Sequence, residues 1–195
     1  VLLAAAFVAC GSKPSTIRVG VTFETAWQVE GHPLDIIEKA VIRETAFRAL
    51  EGAFDGFDVR FLEDQDGGRR VRVGDTEYGP KLLLGAVGLT SPVGKTSHVR
   101  FDALVHAQLI ASKCVRFASC NSRTRLEMIE GLGRGLGATI AHELGHQAAF
   151  GFAVHSGCDD CYDSASTSLV HFFGRKRWSD RALEVMRRVL PAAGS

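Results

Sequence analysis

Residues His142-Glu143-Leu144-Gly145-His146 constrain this chain more than any other stretch. They read H-E-x-x-H, and on a helix residues four apart lie on one face. Two neutral imidazoles one turn apart can hold one Zn2+, and the carboxylate between them can polarise a water bound to that ion. Such a helix needs one face in a core and the other open to a cleft. With Ile140 at zero degrees on a helical wheel, Leu136 and Leu144 fall within about 40 degrees of it. His142 and His146 fall nearly opposite, beside Gly135, Ala138, Thr139 and Ala149. Between Gly135 and Val154 the only Asp, Glu, Lys or Arg is Glu143. A lone carboxylate in an uncharged run is poorly explained as solvated surface, and an unpartnered buried one is costly. A nearby metal-bound water would give it a partner.

Zinc at a catalytic site takes a third protein ligand and leaves the fourth position to water. His155 is the leading candidate, with Gly151 before it able to turn the chain back over the metal. Asp159, Asp160 and Asp163 are alternatives, and so is Glu184 in the last helix. Cys158-x-x-Cys161 reads as a disulfide that pins the loop after His155, and Cys114 pairs locally with Cys120. The other reading of these thiols is a zinc site built from all four cysteines.

His142-Glu-Leu-Gly-His146, a Gly, then His155 resembles the metzincin clan of zinc peptidases, whose motif is H-E-x-x-H-x-x-G-x-x-H. The cysteines near the third His and before the turn resemble those of archaemetzincins in particular. The third His stands three residues later than in the clan, whose position is Phe152 here. Ala149 holds the clan's Gly position, and Tyr162 stands where the clan has the Met of its turn. Tyr162 is expected to support the site by packing or through its hydroxyl. The resemblance implies an α+β, zincin-like fold. Its parts are a mixed twisted sheet with a backing helix, a long active-site helix carrying H-E-x-x-H, and a small C-terminal part ending in a helix. It also implies an edge strand around Gly94 to Phe101 lining the cleft and pairing with an extended peptide.

The remaining pattern is consistent with one such domain over residues 17–195. Ile17 to Phe23 alternates as a strand. Pro33 to Ala53 reads as a helix with an apolar stripe of Ile36, Ile37, Ala40, Val41, Ala46, Phe47 and Leu50. Phe57–Leu62 and Arg69–Val73 read as strands, Lys81–Leu89 as a central strand and Val99–Val105 as another. Cys114 to Arg123 reads as a loop. A helix from Thr124 to Ala149 carries Gly131, Gly133, Gly135 and Gly137, at roughly 1 kcal/mol each against Ala. Close packing on a neighbour is the expected reason. Ser179 is a good N-cap for a final helix. Arg175-Lys176-Arg177 reads as a solvated loop, with a substrate or phosphate contact as the alternative.

Residues 1–16 read as a leader and tether. An apolar run ends at Phe7-Val8-Ala9-Cys10, like the lipobox of a bacterial lipoprotein signal, so Cys10 is expected to carry lipid. The expected place is then outside the cytoplasm, lipid-anchored in the cell envelope or secreted. Membrane attachment would come only through that lipid, and an oxidising compartment favours disulfides. A net charge of +1 gives no case for a nucleic-acid partner.

The expectation is a monomeric zinc metallopeptidase. His142, His146 and His155 bind Zn2+, and Glu143 serves as general base and acid on a peptide substrate. The alternatives are a non-catalytic zinc-binding lipoprotein that uses the fold as a binding module, and a zinc amidase acting on a non-peptide substrate.

Overall fold

A computed structural model describes residues 16–75, 87–91, 95–120, 122–148 and 155–194 of the 195. The lipobox with Cys10, most of the Lys81–Leu89 segment, and the Ala149, Gly151 and Phe152 positions lie outside these residues. Among the described residues no helix is long and apolar enough to cross a membrane.

The chain opens with strand β1 (Ile17–Glu24), followed by a minimal hairpin of β2 (Gln28–Val29) and β3 (His32–Pro33). Helix α1 (Ile36–Ala53) leads to β4 (Val59–Glu63) and β5 (Arg69–Gly74). Then come β6 (Gly88–Thr90), β7 (Thr96–Arg100), α2 (Phe101–Ala111), a single 3-10 turn at Phe117–Ser119, and the long helix α3 (Arg125–Ala148). Helices α4 (Leu169–Phe173) and α5 (Asp180–Val189) close the fold. The five-stranded sheet runs β4-β1-β5-β7-β6. All its pairings are parallel except β6 against β7. Mixed sheet, backing helix, long helix with H-E-x-x-H and closing helix are all present.

Val19, Val21, Val71, Val73 and Val99 put the apolar half of each strand's alternation into the core. Phe23, on the same face as Val19, meets Phe47 of α1. Ring contacts continue from Phe23 to Trp27 and from Trp27 to Phe101. On the opposite face, the backbone of Gln65 and Gly67 lies so close over Gly20 that a side chain there would collide with it.

Four expectations fail, each for a physical reason. The stripe on α1 holds from Val41 onward, with Ala46 and Leu50 buried and Val41 and Phe47 packed on the core, but fails at its start: Ile36 and Ile37 are 82% and 69% exposed, and Ala40 is exposed too. The buried side is Ile42, Thr45, Ala46, Leu50 and Ala53, because α1 lies on α3 through small residues. The strand expected at Val99–Val105 stops at Arg100, and a helix starts at Phe101. Its buried residues Phe101, Leu104, Val105 and Gln108 have helical spacing. Among the described residues β6 is an edge strand, so the described part of the Lys81–Leu89 segment is not central there. Conversely, Thr96–Arg100 is an interior strand between β5 and β6, so the edge expected near Gly94 to Phe101 belongs to β6.

The four glycines leave α3 unbroken. They notch it on two sides. A Cβ at Gly133 would lie 2.8 Å from the Ile42 carbonyl oxygen, and one at Gly137 would strike the Ala46 carbonyl. Gly131 and Gly135 receive the rings of Phe173 and Phe172. Gly137→Ala would gain up to about 1 kcal/mol of helix propensity. It would also push a methyl into backbone that cannot move alone, so a net loss of about 1–3 kcal/mol is expected. Thermal unfolding checks this; a Tm equal to or above that of the parent would contradict the notch.

Candidate metal centre

Helix α3 begins at a reciprocal cap: Thr124 Oγ1 accepts from the Glu127 amide at 3.2 Å, and Glu127 Oε2 accepts from the Thr124 amide at 2.6 Å. Leu136 and Ile140 are fully buried and Leu144 is 3% exposed, so the aliphatic stripe faces the core as the wheel requires. His142 and His146 therefore emerge together on the far side. Their Nε2 atoms are 2.9 Å apart, and His155 brings its own Nε2 to 3.3 Å from that of His146. Ligand atoms of all three rings lie within 4.8 Å of one another.

The hydrogen bonding suits a cation. His142 Nδ1 lies 2.8 Å from the Tyr162 carbonyl oxygen. A carbonyl only accepts, so Nδ1 carries the proton and Nε2 presents its lone pair to the cluster. Burial, then the neighbouring His146, pushes the His142 pKa down to about 4, and burial and His155 lower that of His146. Converging neutral imidazole nitrogens match the donor set of a zinc or similar transition-metal ion.

The segment that follows His155 is tied at several points. Cys158 and Cys161 are joined by a disulfide, as are Cys114 and Cys120, so the four-cysteine zinc site does not form. The Ser156 amide donates to the Asp163 carbonyl at 2.9 Å, and the Tyr162 amide to the Arg177 carbonyl at 2.8 Å. The Tyr162 ring packs on Trp178 at 5.2 Å. Trp178 in turn touches Gly145 within the motif and donates its indole proton to the Ala53 carbonyl at 2.6 Å. Tyr162 thus supports the site by packing and through its backbone carbonyl.

The alternative ligands are engaged elsewhere. Asp163 accepts from the Ser179 amide and hydroxyl, Asp160 pairs with Arg177, and Asp159 accepts from Ser166. Glu184 sits on α5, ion-paired with Arg188.

Glu143 is 4% exposed, and burial raises its carboxyl pKa to about 7. Beside the metal-bound water expected from sequence, the fold supplies a protein partner, Thr90 on β6, whose hydroxyl donates to Glu143 Oε2 at 2.6 Å. That hydroxyl also lies 2.7 Å from Ser97 Oγ. Gly88, two residues before Thr90, lies so close to the Glu143 carboxylate that any Cβ would collide with it. A carboxyl group poised near neutrality is suited to taking and returning a proton.

No family model matches this chain, and no curated protein sequence matches it. One solved structure similar to it is archaemetzincin from Methanopyrus kandleri. The likeness has a TM-score of 0.49 at 15% identity, covering 93% of this chain and 97% of that one. At that level it transfers no residue roles.

Away from the cluster, His171 is buried, with Nε2 3.0 Å from both the Gly135 carbonyl and Thr139 Oγ1. Burial, then Lys176, pushes its pKa down to about 3. The unfolded chain would bind protons at His171 and His142 near pH 6.5, while the folded chain refuses them until about pH 3 and 4. Their contribution is intact above pH 6.5 and is lost as pH falls through that window. Metal-free protein should therefore show a falling denaturant midpoint from about pH 6.5 towards pH 4. A midpoint that is flat or rises on acidification would contradict neutral buried histidines.

Proposed function

We propose that this chain is a zinc-dependent metallopeptidase. The observation that carries the reading is the convergence of the His142, His146 and His155 Nε2 atoms beside a buried carboxyl group with a pKa near 7. Zinc, when bound, polarises the scissile carbonyl and makes water a better nucleophile. Glu143 accepts the proton of the attacking water and gives it to the leaving amine nitrogen. Thr90 holds the carboxylate in place through its hydroxyl. Among the described residues β6 has no strand on its outer side. An extended peptide pairing there would lie next to Glu143, which favours a peptide over a compact substrate.

The two disulfides support an oxidising compartment, in keeping with an exported protein anchored through Cys10. Cleavage of a peptide library tests the reading. Hydrolysis should stop on chelation and return with zinc. A fully zinc-loaded protein that cleaves no peptide would leave a binding module or a non-peptide amidase in its place.

A further inference from the structure

The Glu143 carboxylate ends a buried chain of hydrogen bonds that runs from α3 into the sheet and back. Gln147 stands one helical turn beyond Glu143 on α3 and is 7% exposed. Its Nε2 donates to the Arg70 carbonyl of β5 at 3.1 Å and to Ser97 Oγ of β7 at 2.7 Å. Ser97 is fully buried, and its Oγ lies 2.7 Å from Thr90 Oγ1, which reaches Glu143. Apolar side chains would close this seam between helix and sheet without the cost of burying polar groups. Gln147 even leaves its Oε1 without a partner among the described residues, so its two N–H bonds set its place.

The chain of donors has one direction. A carbonyl only accepts, so the Arg70 contact fixes the Gln147 amide with its nitrogen towards the sheet. That nitrogen can only donate to Ser97. Among the described residues Thr90 is the remaining partner of the Ser97 hydroxyl, so Ser97 gives its proton to Thr90. The single proton of Thr90 is then left for Glu143, where Oε2 lies at 2.6 Å and the main-chain carbonyl at 2.9 Å. The shorter, charge-assisted bond to Oε2 takes it. Without Gln147 and Ser97 as suppliers, Thr90 could turn its proton away from the carboxylate.

We propose that Gln147 and Ser97 are positioning residues of the hydrolysis. Acting through Thr90, they keep the Glu143 carboxylate in one orientation, with its second oxygen left to meet the attacking water. This rests on the peptidase reading. Their effect belongs in kcat, because it concerns the alignment of a reacting group and not the peptide's hold on β6.

Ser97→Ala and Gln147→Met, each fully loaded with zinc, should lose about threefold to tenfold in kcat with KM unchanged, the worth of one misdirected hydrogen bond. The double variant should lose no more than Ser97→Ala alone, because the two act in series. Thr90→Ser should keep most of the rate, and Thr90→Val should fall at least as far as Ser97→Ala. A seam with a merely structural role would lower the unfolding temperature and leave the kcat of folded, zinc-loaded protein at the wild-type value. That result would overturn the proposal, and so would losses that multiply in the double variant. The infrared carboxylate band that Glu143→Gln removes gives a readout without turnover. In alkaline, metal-free protein it should shift in Ser97→Ala and in Gln147→Met; an unmoved band would contradict the chain. Should Gln147→Met fail to fold, Ser97→Ala, which removes one oxygen, carries both measurements. Wild-type protein that hydrolyses no peptide would instead sink the peptidase reading, with the infrared shift still measurable.

Discussion

Glu143→Gln should keep its zinc and lose peptide hydrolysis by a factor of about 10^2–10^4 in kcat, the usual worth of positioned general acid–base catalysis. The amide has the size of the carboxylate and can still accept from Thr90, so the contacts of Glu143 with β6 should survive. It cannot take a proton from water at neutral pH. Burial holds the carboxyl near pH 7, so the wild-type rate should fall on acidification through that region as the base is protonated. A variant with unchanged kcat would remove Glu143 from the mechanism. A variant without zinc would mean that the carboxylate is needed to form the centre.

His146→Ala should abolish stoichiometric zinc binding and all hydrolysis. Its Nε2 is the middle member of the cluster, 2.9 Å from that of His142 and 3.3 Å from that of His155. Losing it leaves His142 and His155 on separate elements and removes the paired imidazoles on one helical turn that anchor the ion. His155→Ala should be milder for binding, because two ligands remain on one rigid helical turn. It should weaken zinc affinity by at least about tenfold and still lower activity. Zinc content after gel filtration and a competitive chelator titration measure both. Full zinc occupancy in His146→Ala would refute the placement of the centre.

Much of this was legible in the sequence where one element carries its own signal. β1 alternates, α5 has its Ser179 cap, and the wheel of α3 separates Ile140 from His142. Helix α2 was not legible, because Arg100 at its N-cap makes no side-chain capping bond and Phe101 continues the apolar alternation of β7. Only the start of the α1 stripe misled, because the glycine notches of α3 receive α1 at Ile42, Thr45 and Ala46 and leave Ile36 and Ile37 outside. At the site, His142, Glu143 and His146 announce themselves by spacing, while His155 needed its loop placed in space. The Tyr162 carbonyl has no side-chain signature. Thr90 lies far from the motif in sequence, and tertiary structure alone brings it to Glu143.

X-ray absorption at the zinc edge of the purified protein tests the proposed centre most directly. Three imidazole nitrogens at about 2.0–2.1 Å and one oxygen are expected, with no sulfur. Substituting His155 should reduce the imidazole count to two. A sulfur shell near 2.3 Å, or a three-imidazole shell unchanged by His155→Ala, would contradict the assignment of His142, His146 and His155 as the ligands.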